Sequence, residues 1–245
     1  MIRHFCHVKP SILFLLGLLL ANVTDSQIGL VQVGSADEKK SEIQGKVKKE
    51  VFEKADSSRE IFSYAHVEKT TVKKMPAPKI DYSFYVLAKI GQSIPFTQKV
   101  LTQYHLYSEL VPFVDKTEFD PKTKTMKVEG GIWKYRLKSL IKVHEITVNK
   151  IEFKVIQGHL TGLICHLILE PSLDGRSTRV YFGGELHTFS KNSPPSWVLE
   201  KGAEIVLGFT AKKMRSKVES EARSVIIKKK ENSEGAEIPK PRRSI

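Results

Sequence analysis

Between residues 81 and 218 the hydrophobic period changes in an order that few folds can use. One alternating stretch comes first, then two short helical ones, then a long run of alternation, then more than twenty residues at helical spacing. Tyr82, Phe84, Val86, Ala88 and Ile90 take one face of a strand, with Ser83 and Lys89 opposite. In Gly91-Gln92-Ser93-Ile94-Pro95, Ser93 suits a helix cap and Pro95 the first turn, which predicts a helix over about 94–103. A second short helix, about 104–111, carries Tyr104, Tyr107, Leu110 and Val111, and Pro112 ends it. From Val114 to Phe189 strands alternate with turns at 120–122, 147–149, 157–159 and 172–175. In the clearest, 132–144, Trp133, Tyr135, Leu137, Ser139, Ile141 and Val143 share one face, and Lys134, Arg136, Lys138, Lys142 and His144 the other. Ile151/Phe153/Val155, Leu163/Cys165/Leu167/Leu169 and Val180/Phe182/Gly184/Leu186 repeat the pattern. Ser193-Pro194 then starts a long helix bearing Val198, Leu199, Ile205, Val206, Phe209, Met214 and Val218. The expectation is an α+β domain whose long helix lies across the concave face of a curved antiparallel sheet.

The flanks read differently. Residues 1–26 have a basic start, an uncharged run from Ile12 to Ala21 and short residues at Thr24 and Ser26. That is the layout of a secretory signal peptide, with cleavage expected before Gln27 or, alternatively, after Ala21. The run falls short of the roughly 20 residues that span a bilayer. A periplasmic or secreted protein is expected. Residues 27–80 are rich in Lys, Glu, Ser and Gln and read as a charged leader, at most partly helical. The ordered domain is placed at 81–220, and 221–245 reads as a basic, disordered tail. The chain's net charge is +13, and residues 212–245 hold 11 basic against 5 acidic residues, a net +6. Charge gathered at one end rather than on the folded surface argues against nucleic-acid binding. A charge run is usually a solvated end, and the functional alternative is peripheral contact with an anionic membrane.

Val100-Leu101-Thr102-Gln103-Tyr104, running into Tyr107-Ser108-Glu109-Leu110-Val111-Pro112-Phe113-Val114, resembles the two-helix element of the START and polyketide-cyclase superfamily. Trp197-Val198-Leu199-Glu200-Lys201-Gly202-Ala203 resembles the start of that superfamily's C-terminal helix. The resemblance covers about 81–216 and extends to coenzyme Q-binding and lipid-transport members. It implies a helix-grip fold, a curved antiparallel sheet wrapped around a long C-terminal helix with two short helices after the first strand. It also implies a cavity for a lipid, quinone, sterol or polyketide.

Residue identities supply candidate cavity-lining side chains: Phe84, Trp133, Tyr135, Leu137, Ser139, Phe153, Val180, Phe182, Leu186, Ile205 and Phe209. The same residues suit a solid core, and only the resemblance favours a cavity. No catalytic residue, metal ligand set or cofactor is expected. Cys165 and His166 are neighbours on a strand and point to opposite faces, so they cannot share an ion. Cys165 reads as a small buried hydrophobe, and His166 and His187 as outer-face residues able to pair across strands. The leading expectation is an exported, non-catalytic protein that binds or transports a hydrophobic small molecule. The alternatives are a cyclase/dehydratase-type enzyme using the same cavity and an envelope-associated interaction protein with basic membrane-binding tails.

Overall fold

The computed structural model describes residues 41–73, 75–132, 135–158, 160–189 and 196–234. Two short helices, α1 (Glu42–Lys46) and α2 (Lys49–Ser58), precede strands β1 (Phe62–Thr70) and β2 (Lys79–Ile90). Helix α3 (Ile94–Leu101) and a single 3-10 turn (Tyr104–Leu106) lead into α4 (Tyr107–Leu110). The meander β3 (Val114–Asp120), β4 (Thr125–Ile132), β5 (Tyr135–Thr147), β6 (Lys150–Gly158), β7 (Ile164–Pro171) and β8 (Thr178–Phe189) follows, and α5 (Ser196–Glu234) closes the described chain. All neighbouring strands are antiparallel, in the order β1-β2-β8-β7-β6-β5-β4-β3. This is the helix-grip α+β arrangement.

Alternation sorts the side chains between the two sheet faces. Val143, Ile151, Phe153, Cys165, Leu167, Leu169 and Leu186 build the core on the inner face, with Val100, Leu101 and Tyr104 from the short helices and Val218 from α5. A second, smaller core lies on the outer face, where Leu87, Ile168 and Tyr181 meet Ile43, Phe52 and Ala55. Helices α1 and α2 therefore cover the back of the sheet.

That corrects the reading of 27–80 as a leader. Residues 42–70 form two helices and an edge strand paired along its whole length with β2, from Phe62 opposite Leu87 to Thr70 opposite Lys79. Composition hid this because few residues do the anchoring. Ile43 and Ala55 are wholly buried and Phe52 is buried, while the helix surface around them is charged. The two short helices consequently follow the second strand, not the first. The reading of 221–245 as a disordered tail is corrected too, since α5 continues through Glu234. Residues 1–40, with the predicted signal peptide, and 235–245 lie outside the described residues.

Helix α5 runs antiparallel to β1 and is tied to it at several points. The Glu200 carboxylate accepts from the Val67 backbone N–H at 2.9 Å and lies 3.2 Å from His66 Nδ1. Near the other end Arg59 pairs with Glu219, and Arg215 Nη1 donates to the Arg59 carbonyl at 2.5 Å. Lys213 Nζ donates to the Glu109 carbonyl at 3.1 Å, linking α5 to α4. Glu200 also blunts the free edge of β1 by satisfying one of its outward N–H groups.

Candidate functional site: an apolar cavity

A cavity of about 350 Å³ lies between the inner face of the sheet and α5. Each strand from β2 to β8 contributes to its wall, as do α3, α4 and the β6–β7 turn. Phe84, Phe153, Phe182 and Met126 are the larger sheet residues there, and Val206, Leu207, Thr210, Ala211 and Met214 close it from the helix. Among the described residues the wall carries no charged side chain.

Its polar groups are few and mostly committed. Tyr107 Oη donates to the Leu101 carbonyl at 2.8 Å, and Thr117 Oγ1 donates to the Tyr104 carbonyl at 2.9 Å. Burial pushes the Tyr107 phenol above its ordinary range, so it stays neutral. The Cys165 thiol, also buried, is pushed up to about 12. A thiol so shifted is not a nucleophile at neutral pH. Thr210 Oγ1 is buried and has no hydrogen-bond partner among the described residues.

Two backbone features shape the space. Gly184 leaves no Cβ on the inner face of β8, where one would stand 2.6 Å from Cys165 Sγ and 3.0 Å from the tip of the Phe84 ring. The ring and the thiol occupy that gap. In the β6–β7 turn Leu160 adopts a left-handed backbone at φ 63 while lining the cavity. That conformation costs a branched residue about 1–2 kcal/mol.

Of the side chains expected at the cavity, Phe84, Phe153, Val180 and Phe182 stand on its wall. Leu186 is in the core below it, buried and opposite Tyr82. Ser139 is half-buried on β5, opposite Val128, and does not reach the wall. Trp133 lies outside the described residues, and of Tyr135 and Leu137 only the strand backbone is described. Ile205 and Phe209 correct the expectation: they are 66% and 52% exposed. Helix geometry explains it. Val206, Thr210 and Met214 repeat every four residues with Leu207 and Ala211 beside them, and that set is the inward face. Ile205 and Phe209 begin the adjoining face, which turns to solvent. Residue size had pointed to the aromatic, whereas the inward positions include a threonine and an alanine.

His166 and His187 stand outside the cavity. His166 Nε2 lies 3.4 Å from Glu152 across β6 and β7, and His187 Nδ1 lies 2.5 Å from Asp81 across β2 and β8. Desolvation holds His166 below its ordinary range, helped by Lys150 and Lys46. Among the described residues no group of three or more His, Cys, Asp or Glu side chains could hold a metal ion, and no helix is long and apolar enough to cross a membrane.

The strand order and the long helix over the concave face define a helix-grip α+β fold with a cavity between its two layers. No family model matches the sequence, and no curated protein matches it. The chain is similar to solved structures at low identity. One, described as a START superfamily protein from Mycobacterium smegmatis, is 16% identical over 56% of this chain and 97% of that one, with a TM-score of 0.47. The Zhui aromatase/cyclase from Streptomyces sp. R1128 is 9% identical over 59% of this chain and 98% of its own, with a TM-score of 0.46. A STAR-related lipid transfer protein fragment from Xanthomonas axonopodis is 12% identical over 63% and 99%, with a TM-score of 0.43.

Proposed function

We propose that this chain is an exported, non-catalytic protein that binds or carries a neutral hydrophobic small molecule between its sheet and α5. The observation that carries this reading is the cavity itself, about 350 Å³ of partly open space with no charged side chain on its wall among the described residues. The volume falls at the lower end of the roughly 300–1,000 Å³ range of small-molecule pockets. A carboxylate or phosphate inside it would lose its hydration without gaining a cation, at a cost of several kcal/mol. An apolar ligand gains about 25 cal/mol per Å² of surface withdrawn from water. Non-catalytic binding is supported by the commitment of the Tyr107 and Thr117 hydroxyls to backbone carbonyls and by the neutral Cys165 thiol. Export rests on the basic–apolar–short-residue order of residues 1–26.

Native mass spectrometry of the purified full chain, followed by mass spectrometry of its organic extract, tests the binding reading. A neutral, apolar species bound at one per chain is the expected result. The reading fails if the chain carries nothing and an added apolar dye finds no site. Amino-terminal sequencing of protein from fractionated cells tests export, with a start at Gln27 outside the cytoplasm expected. An intact Met1 on cytosolic protein would overturn it.

A further inference from the structure

We infer that the outward face of α5 is a docking surface for an anionic lipid bilayer. Three large apolar residues stand on it in open solvent, Trp197, Ile205 and Phe209, exposed by 58%, 66% and 52%. They fall at i, i+8 and i+12 and so lie along one side of the helix. Past Ala222, Ile226 and Ile227 form a second apolar patch at 66% and 57% exposure. Trp197 to Phe209 span about 18 Å of helix at 1.5 Å per residue, and about 24 Å of helix with no exposed large apolar residue separates Phe209 from Val225. Scattered single apolar residues need no explanation, whereas two such patches on one helix do.

The charges on α5 say what covers the patches. Its acidic residues up to Lys228 are all engaged. Glu200 holds Val67 and His66, Glu204 pairs with Lys201, Glu219 with Arg59, and Glu221 with Lys217. The exposed cations Lys212 and Arg223 have no acidic partner among the described residues. Lys213 lies over the Phe209 ring at 5.3 Å, which keeps its charge beside the aromatic face. Exposed Trp, Phe and Ile interleaved with unpaired Lys and Arg match a bilayer interface. There rings and aliphatic side chains enter the acyl boundary and cations meet anionic headgroups. A second copy of the chain seated there would instead bring these cations together. The opposite face of the same helix closes the cavity, so docking would put the cavity's helical wall against the membrane. The surface does not depend on what the cavity holds.

Cosedimentation of the full chain with vesicles of phosphatidylcholine alone, or of phosphatidylcholine with phosphatidylglycerol, tests the assignment. Binding only to the anionic vesicles, weakening as salt rises, is expected. The Lys212→Glu/Arg223→Glu variant should bind about tenfold more weakly or worse, as reversal of two cations near an anionic surface implies. Ile205→Asn/Phe209→Ser should bind more weakly at every salt concentration, with its melting temperature unchanged because both side chains are already exposed. A chain ending at Glu234 should bind like the parent. The inference is overturned by a parent that ignores anionic vesicles at low salt, or by variants that bind as the parent does. Loss of binding on removal of 235–245 alone would also overturn it. So would a concentration-dependent dimer that Ile205→Asn/Phe209→Ser abolishes without any change at vesicles, which would assign the face to a second copy.

Discussion

Cys165 stands on the cavity wall at 5% exposure, where the apolar surroundings penalise a thiolate. Its pKa is pushed from an ordinary 9.0 up to about 12. Below pH 9 the thiol is neutral in both folded and unfolded chains, and its contribution to stability is constant. Above pH 9 the unfolded chain releases the proton first, so the folded state loses stability as pH climbs toward 12. Urea unfolding at several alkaline pH values should therefore show a steeper decline for the parent than for Cys165→Ala. Alkylation at pH 8 should be slow in the native protein and fast in urea. Rapid native alkylation would mean that the thiol is open to solvent. At Gly184 an added methyl would stand 3.0 Å from the Ile164 carbonyl oxygen, which cannot swing aside, as well as 2.6 Å from Cys165 Sγ. Gly184→Ala should cost about 1–3 kcal/mol, read from the urea midpoint. Legibility at this scale follows geometry. Phe84, Phe153, Val180 and Phe182 could be placed because a strand has only two faces. Ile205 and Phe209 could not, because a helix has a continuous circumference and residue size alone does not say which arc faces inward.

The elements least visible in the sequence are α1 and α2, and the reason lies in how they are held. Their apolar contribution is small, and a buried ionic cluster completes the attachment. Arg179, 6% exposed on the outer face of β8, lies 3.3 Å from Asp56 on α2 and 3.7 Å from Glu170 on β7. Asp56 also accepts from Ser172 Oγ at 2.6 Å, and Glu170 accepts from the Ile43 N–H at 3.1 Å. The Arg179 guanidinium stacks 4.4 Å from the centre of the Phe52 ring. A sequence pattern registers Asp56 and Arg179 as two charged residues 123 positions apart, and nothing local pairs them. Removing one member leaves a buried charge without its counter-ion. Arg179→Ala should cost about 3–5 kcal/mol in urea unfolding, since both carboxylates lose their partner. Asp56→Ala with Arg179→Met should recover part of that loss, because a methionine fills the space without a charge. If Arg179→Ala unfolds at the parental midpoint, the cluster contributes nothing to holding the helices.

At the scale of the whole molecule, the order of periods was enough to specify one antiparallel sheet and one long helix across it. Whether the space between them is filled was not legible. It depends on how far α5 stands from the sheet, and that is set by pairing on either side of the cavity, Glu200 to β1 and Glu219 to Arg59. With modest side chains at Thr210 and Ala211 between those ties, the helix leaves room over Phe153 and Phe182. A ligand that fills the room binds the folded chain and not the unfolded one, so it adds about 2.7 kcal/mol at a hundred times its dissociation constant. At about 2–4 °C per kcal/mol for a chain of this size, extraction of a bound ligand should lower the melting temperature by roughly 5–10 °C. Returning the protein's own extract should restore it. Ala211→Leu separates a cavity from a solid core, because the added carbons point into the proposed space. In a cavity they raise the melting temperature of extracted protein and abolish the gain from the extract. In a solid core they overpack it at a cost of about 1–3 kcal/mol, and extraction of the parent leaves its melting temperature unchanged.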